Sequence, residues 1–262
     1  MSLFQPSWLG GQASTLFRQH HGDLIDGATW TLPIDHLSAA DRDHFRTVWT
    51  QSAHQEWCAA GAFIALQQAL LLARAPVDLI GASGRFVADE MLHVELACRM
   101  AMAYGGGAPL EVDPTAITPE TAEQDPLLRC AELALRVSCV GESFSLPLIV
   151  EELTSATDPL SRRVLRRIAR DEAGHGRFGW WVLDWVLEHG VSAADRARLA
   201  AVADDAIDAL RPALEADVQH HQRYDAILAD RIAGPLAARG LPLQRRSWSI
   251  ARDRGWVPVE DK

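Results

Sequence analysis

Basic charge is what this sequence has too little of. Lysine and arginine number 25 against 35 aspartates and glutamates, a formal net charge of −10. That balance argues against nucleic acid or an anionic membrane as the main partner. Long β-branched runs are also scarce beside Ala, Leu, Arg, Glu and Asp, which favours helix over sheet. Met1 to Gly11 lack the basic segment followed by an apolar stretch that marks a secretory signal. No apolar run of about 18 residues is read in the chain, so no membrane span is expected. The four cysteines, Cys58, Cys98, Cys130 and Cys139, form no CxxC pair. Reduced core thiols in a cytoplasmic protein are therefore expected.

What is present is apolar and periodic. Hydrophobic residues make up 48% of 262, enough for one large core or a core with an appended part. Residues 1–37 read as an irregular segment, punctuated by Gly10-Gly11, Gly22, Gly27 and Pro33. Ser38, with Asp41 three residues on, opens a helix to about Ala73. Pro76 starts a second that runs to Tyr104 and stops at Gly105-Gly106-Gly107. The proline-rich stretch 108–124 reads as a long connection. A third helix spans about Asp125 to Ser155, and Asp158-Pro159 opens a fourth that reaches His189. Residues 38–189 thus pair as hairpin, long connection, hairpin, the connectivity of a four-helix bundle with one crossover. In residues 190–262, a fifth helix from Ser192 and a sixth from after Pro212 to Gly234-Pro235 precede a polar arm from Leu241.

Two segments match: Asp89-Glu90-Met91-Leu92-His93 and Asp171-Glu172-Ala173-Gly174-His175. Each lies in the second helix of a hairpin. A Glu and a His three residues apart share one helical face, so both can point at one metal. The first helix of each hairpin should add a carboxylate at the same height. Glu142 and Glu172 lie equally far from the turn near Thr157. Glu56 is the candidate in the other hairpin because no acid lies between it and Asp78, although its register demands an offset of about one turn. Four buried carboxylates need counter-charge, which two divalent cations supply, and two neutral imidazoles complete the set. Carboxylate and imidazole without thiolate suit iron or manganese, not structural zinc.

Over residues 38–189 the sequence resembles the ferritin-like di-iron carboxylate proteins, whose plan is Glu, Glu-x-x-His, Glu, Glu-x-x-His. The resemblance implies an all-α, ferritin-like four-helix bundle with additional C-terminal helices. It makes Glu56 and Glu142 single-carboxylate ligands, and Glu90 with His93 and Glu172 with His175 paired ones, around two iron ions, with Fe/Mn or Mn pairs left open. The chain would then be an O2-activating oxidase or oxygenase acting on a small organic substrate by N-oxygenation, hydroxylation or desaturation. An electron donor is implied, and a homodimer is left open. The alternative is iron binding or peroxide removal without an organic substrate.

Asp89 and Asp171 are read as partners of the imidazoles, Asp89 for His175 and Asp171 for His93. Glu95 lies about 200° round its helix from His93, off the ligand face. Glu151 and Glu152 are read as solvent-facing, and His20, His21, His36, His44 and His220-His221 as background. With only Tyr104 and Tyr224 in the chain, a tyrosine radical beside the metals is not expected. Pro147 should bend the third helix beyond Glu142. Gly174, Gly176 and Gly179 serve either close packing or space. A closed apolar pocket lined from the third and fourth helices is expected beside the metals.

Overall fold

In the computed structural model, described over residues 1–19, 29–216, 221–244, 248–251 and 255–258, nearly all regular structure is helical. The chain is all-α. The N-terminal segment holds more order than its glycines suggest. Ser2–Leu3 (β1) pairs antiparallel with Glu111–Val112 (β2), and Gly11–Gln19 forms a helix, α1. The β1–β2 pairing is non-local, so nothing in the local composition signals it.

Local chemistry sets the long helices. Ser38 and Asp41 form a reciprocal capping box, with the Asp41 N–H donating to Ser38 Oγ at 3.0 Å and the Ser38 N–H to Asp41 Oδ2 at 3.3 Å. They open α2 (Ala39–Leu72), which is followed by α3 (Val77–Ala103). Gly105 and Gly106 take φ of 111° and 118°, and the Gly106 N–H returns to the Ala101 carbonyl at 3.0 Å. That left-handed stop is one only glycine adopts cheaply.

The helix α4 (Pro126–Ser155) is capped by Asp125, which accepts from the Leu127 and Leu128 N–H groups. Its middle, Leu135–Glu142, is π-helical, a feature sequence reasoning missed. Ser161 N–H donates to Asp158 at the start of α5 (Pro159–Glu188). The helix α6 (Ala193–Ala216) corrects an expectation by running through Pro212. A proline removes one hydrogen bond, and the rest of a 24-residue helix persists without it. Beyond residues 217–220, α7 (His221–Ile227) continues through a π-helical stretch, Leu228–Ala233, into α8 (Gly234–Ala238). The helical run passes through Gly234-Pro235, so that pair is not the stop expected of it. The stop is Gly240, with φ 71°. The arm beyond Leu241 contains an antiparallel hairpin, β3 (Trp248–Ala251) with β4 (Gly255–Pro258).

Two compact units make up the chain. The first comprises Met1–Ile64, Gly84–Thr118 and Glu152–Ile168. Its core includes Trp49, Ala53, Phe63, Phe86, Leu92, Leu96 and Met100, with the Phe63 and Phe86 rings 5.4 Å apart. The connection after α3 passes close over α2: a Cβ on Gly61 would lie 2.2 Å from the Ile117 carbonyl oxygen.

The second unit comprises Ala65–Ser83, Pro119–Glu151 and Ala169–Lys262. Its core includes Leu70, Leu133, Leu135, Phe178, Leu183, Ile207 and Tyr224. Arg239 grips both oxygens of Asp184 at 2.6 and 2.9 Å and covers the Trp180 ring. Contrary to the sequence reading, α4 is long and apolar enough to cross a membrane by composition alone, but more than half of its apolar window is buried in the protein.

Two outcomes test this packing. A Cβ on Gly179 would fall 2.3 Å from Ser138 Cβ, whereas one on exposed Gly81 meets nothing within 4 Å. Gly179→Ala is expected to lose about 1–3 kcal/mol in denaturant unfolding, and Gly81→Ala to gain about 0.5–1 kcal/mol. Comparable effects of the two substitutions would contradict the close contact.

All four thiols are free. Burial, with Glu95 second, pushes Cys98 up to about 11. Burial, with Asp125 second, pushes Cys130 up to about 12. Cys139 rises well above its usual value, again mainly by burial. At pH 8 a thiol-specific disulfide reagent should therefore react slowly, Cys58 first, and rapidly only after unfolding.

Candidate metal centre

Counting along the helices places the ligands. Glu56 lies 16 residues before Leu72, the end of α2, and His93 lies 16 after Val77, the start of α3. Antiparallel helices rise equally per residue, so Glu56 is level with His93 and one turn from Glu90. That is the offset its register demanded. His93 Nδ1 is 3.6 Å from Glu56 Oε2 and 3.3 Å from Glu90 Oε2. Glu90 and His93 are fully buried, and the Glu56 side chain is 14% exposed.

The second unit repeats the arrangement. Glu142 lies 13 residues before Ser155 and Glu172 lies 13 after Pro159, so these two are level, as the sequence predicts. His175 Nδ1 is 3.0 Å from Glu172 Oε2. Glu142, Glu172 and His175 are all buried. Within each triad, one ligand atom from every residue lies within 4.8 Å of the other two. Buried carboxylates and imidazoles arranged this way can bind a metal ion.

The π-helical turn ends on Glu142. Such bulges add a residue to a turn and re-aim the side chains around it, which sequence periodicity does not reveal. Pro147, one turn on, has no N–H to offer the carbonyls before it. Ser145 Oγ lies in this stretch, donating to Glu142 Oε2 at 2.8 Å and lying 3.5 Å from the Glu142 carbonyl. Its i,i+3 spacing was a readable signal for this contact.

The glycines divide by role. A Cβ on Gly176 would make ordinary contact, 3.6 Å, with Glu142 Cβ, while Gly179 is consumed by the Ser138 contact and its neighbours. Close packing, not space, is therefore what Gly179 supplies.

The outer acids, Asp89 and Asp171, are buried. Asp89 is 3.6 Å from Arg85 and 3.6 Å from Arg167, and Asp171 is 3.2 Å from Arg170. These arginines are the partners sequence reasoning missed, although Arg85 and Asp89 stand at i,i+4.

Glu95 turns away to Arg99 at 2.7 Å and Arg18 at 3.7 Å. Glu151 pairs with Arg223, so it is not simply solvent-facing, while Glu152 is exposed. Tyr104 stacks on Phe45 and bonds Ser161. His36 and His44 are exposed, and His20, His21 and His220 lie outside the described residues. A cavity in the first unit is lined by β1, the segment after it, α2 and α3.

No protein-family model matches the chain, and no curated protein or solved structure matches it either.

Metal analysis of purified variants tests the choice of acid on α4. Glu142→Ala should lower metal content, and Glu151→Ala should leave it unchanged. Ser145→Ala, which frees a ligand oxygen from its hydroxyl, should weaken binding about tenfold. Equal losses in Glu142→Ala and Glu151→Ala would show that the site is elsewhere on the helix.

Proposed function

We propose that the chain is an O2-activating, non-haem di-iron oxidase or oxygenase acting on a small organic molecule. The duplicated triad carries the reading. Each triad offers two carboxylates and one imidazole, and one divalent cation cancels the charge of its carboxylate pair. Two triads therefore call for two cations. Oxygen and nitrogen donors without thiolate suit iron or manganese. The reading takes α2, α3, α4 and α5 as a ferritin-like bundle with residues 108–124 as its crossover, and it places the protein in the cytoplasm.

When bound, reduced iron supplies electrons to O2 and an open coordination position. The rest falls to the protein. Glu90 with His93, and Glu172 with His175, grip from one helical face each. Glu56 and Glu142 close each triad from the neighbouring helix. The Ser145 hydroxyl occupies Oε2 of Glu142 and fixes how that carboxylate turns. Asp89, held by Arg85 and Arg167, and Asp171, held by Arg170, set a fixed carboxylate one residue before Glu90 and Glu172. Val140 and Phe144, buried on either side of Glu142, keep water from it and suit an apolar substrate.

Iron storage is the second reading. It would need a polar ion route, which the apolar flanks of Glu142 disfavour.

Two measurements test the proposal. Protein from iron-supplied aerobic growth should carry close to two metal ions per chain, mainly iron. Stopped-flow mixing of the reduced, iron-loaded protein with O2 should give a transient absorption whose decay accelerates with the right substrate, yielding an oxidised product. Many Fe(II) oxidised per site with accumulation of ferric mineral would replace the oxygenase reading with storage.

A further inference from the structure

The first unit contains a cavity apart from the metal ligands, none of which lines it. Its volume is about 490 Å³, within the range of small-molecule sites. The walls come from the N-terminal segment, from α2 and α3, and from the chain around Leu110. Hydrogen bonds tie these walls together. The Phe4 N–H donates to the Leu110 carbonyl at 2.8 Å, next to the β1–β2 pair. The Ala108 N–H donates to Thr50 Oγ1 at 3.0 Å. Edge contacts with His54 and Trp57, at centroid distances of 5.0 and 6.0 Å, hold the Phe4 ring. A cavity built this way asks little ordering of the protein when a ligand enters.

Several polar groups of the wall are engaged within the protein. Thr50 Oγ1 also donates, to the Arg46 carbonyl at 2.7 Å. The charged residues of the wall are Arg18, Glu95 and Arg99. Arg99 donates to Glu95 Oε1 through two nitrogens at 2.9 and 2.7 Å, and Arg18 approaches it at 3.7 Å. The Cys98 thiol is pushed up to about 11, mainly by burial with Glu95 second, so it adds no charge near neutral pH. An ionic ligand would have to leave water and compete with ion pairs already made. A neutral ligand avoids both costs.

The rest of the wall is largely apolar and partly aromatic. Leu3, Phe4, Pro6, Trp8 and Met102 line it, and Trp8 and Met102 remain 48% and 68% exposed, although water disfavours such side chains in a patch. Rings attract rings, and a thioether attracts a ring edge, beyond what buried area alone gives. An aromatic body gains these contacts, and a saturated one of the same size does not.

We propose that this cavity binds a neutral aromatic small molecule, its ring system packed against Phe4, Trp8 and Met102.

Calorimetric titration with tetralone, its saturated analogue decalone and the anion tetrahydronaphthoate tests the proposal. Tetralone should bind about fivefold tighter than decalone, as ring contacts predict, and at least about tenfold tighter than the anion, which must shed its hydration. Trp8→Ala, at an exposed position, should weaken tetralone about fivefold without moving the melting temperature. Tetralone at about four times its Kd should slow alkylation of Cys98 by N-ethylmaleimide about fivefold, with the site of modification mapped by mass spectrometry. Chelator-treated, metal-free protein should bind tetralone as well as untreated protein, which separates failure here from failure of the metal reading. The proposal is overturned by any one of five results: no tetralone binding up to millimolar concentration, decalone or the anion binding as tightly, unchanged affinity in Trp8→Ala, no protection of Cys98, or loss of binding on chelation.

Discussion

Burying two carboxylates beside one another is the constraint on which the rest of each unit depends. Glu90 is fully buried, and Glu142 and Glu172 are 8% and 2% exposed. Moving even one charge of this kind out of water is expensive unless it is paired, and a neighbouring like charge raises the cost. Two answers exist: a proton on one carboxylate, or a cation between them. The imidazole at hydrogen-bond or near-bond distance in each triad favours the cation, because it supplies a third donor without adding negative charge.

The heights come from helix arithmetic more than from contacts. A hairpin of antiparallel helices aligns residues equidistant from its turn. Glu142 meets Glu172 by this rule and Glu56 meets His93, so the two triads are similar without being identical in register. The π-helical residues Leu135–Glu142 lie in only one of them. An inserted residue shifts the face that the following side chains present, and here the shift ends on the ligand itself.

Much of this was legible because the signals are local. The caps at Ser38, Asp125, Asp158 and Ser192 each rest on a side chain and an N–H two or three residues apart. The Glu-x-x-His pairs are likewise confined to one turn. What escaped depends on distant partners. The β1–β2 ladder joins residues more than a hundred positions apart, and Gly179 reads as a possible void until Ser138 is set against it. Arg167 is invisible as a partner of Asp89 because α5 must first fold back to bring it there. The π-helical turn is hidden for another reason: no residue type specifies it.

The helix α3 shows how several ionic groups can share one buried element. From Asp89 to Met100 most of its side chains are buried, on every face. Such a helix has no solvated side on which to leave a charge, so each ionic residue must be answered separately by what lies opposite. Glu90 and His93 are answered by Glu56 and, in our reading, by metal. Asp89 is answered by Arg85 and Arg167. Glu95 is answered by Arg99 and Arg18. Selection for stability alone would favour an apolar residue at position 95, since removing both partners of a buried ion pair in favour of good packing is often neutral or better.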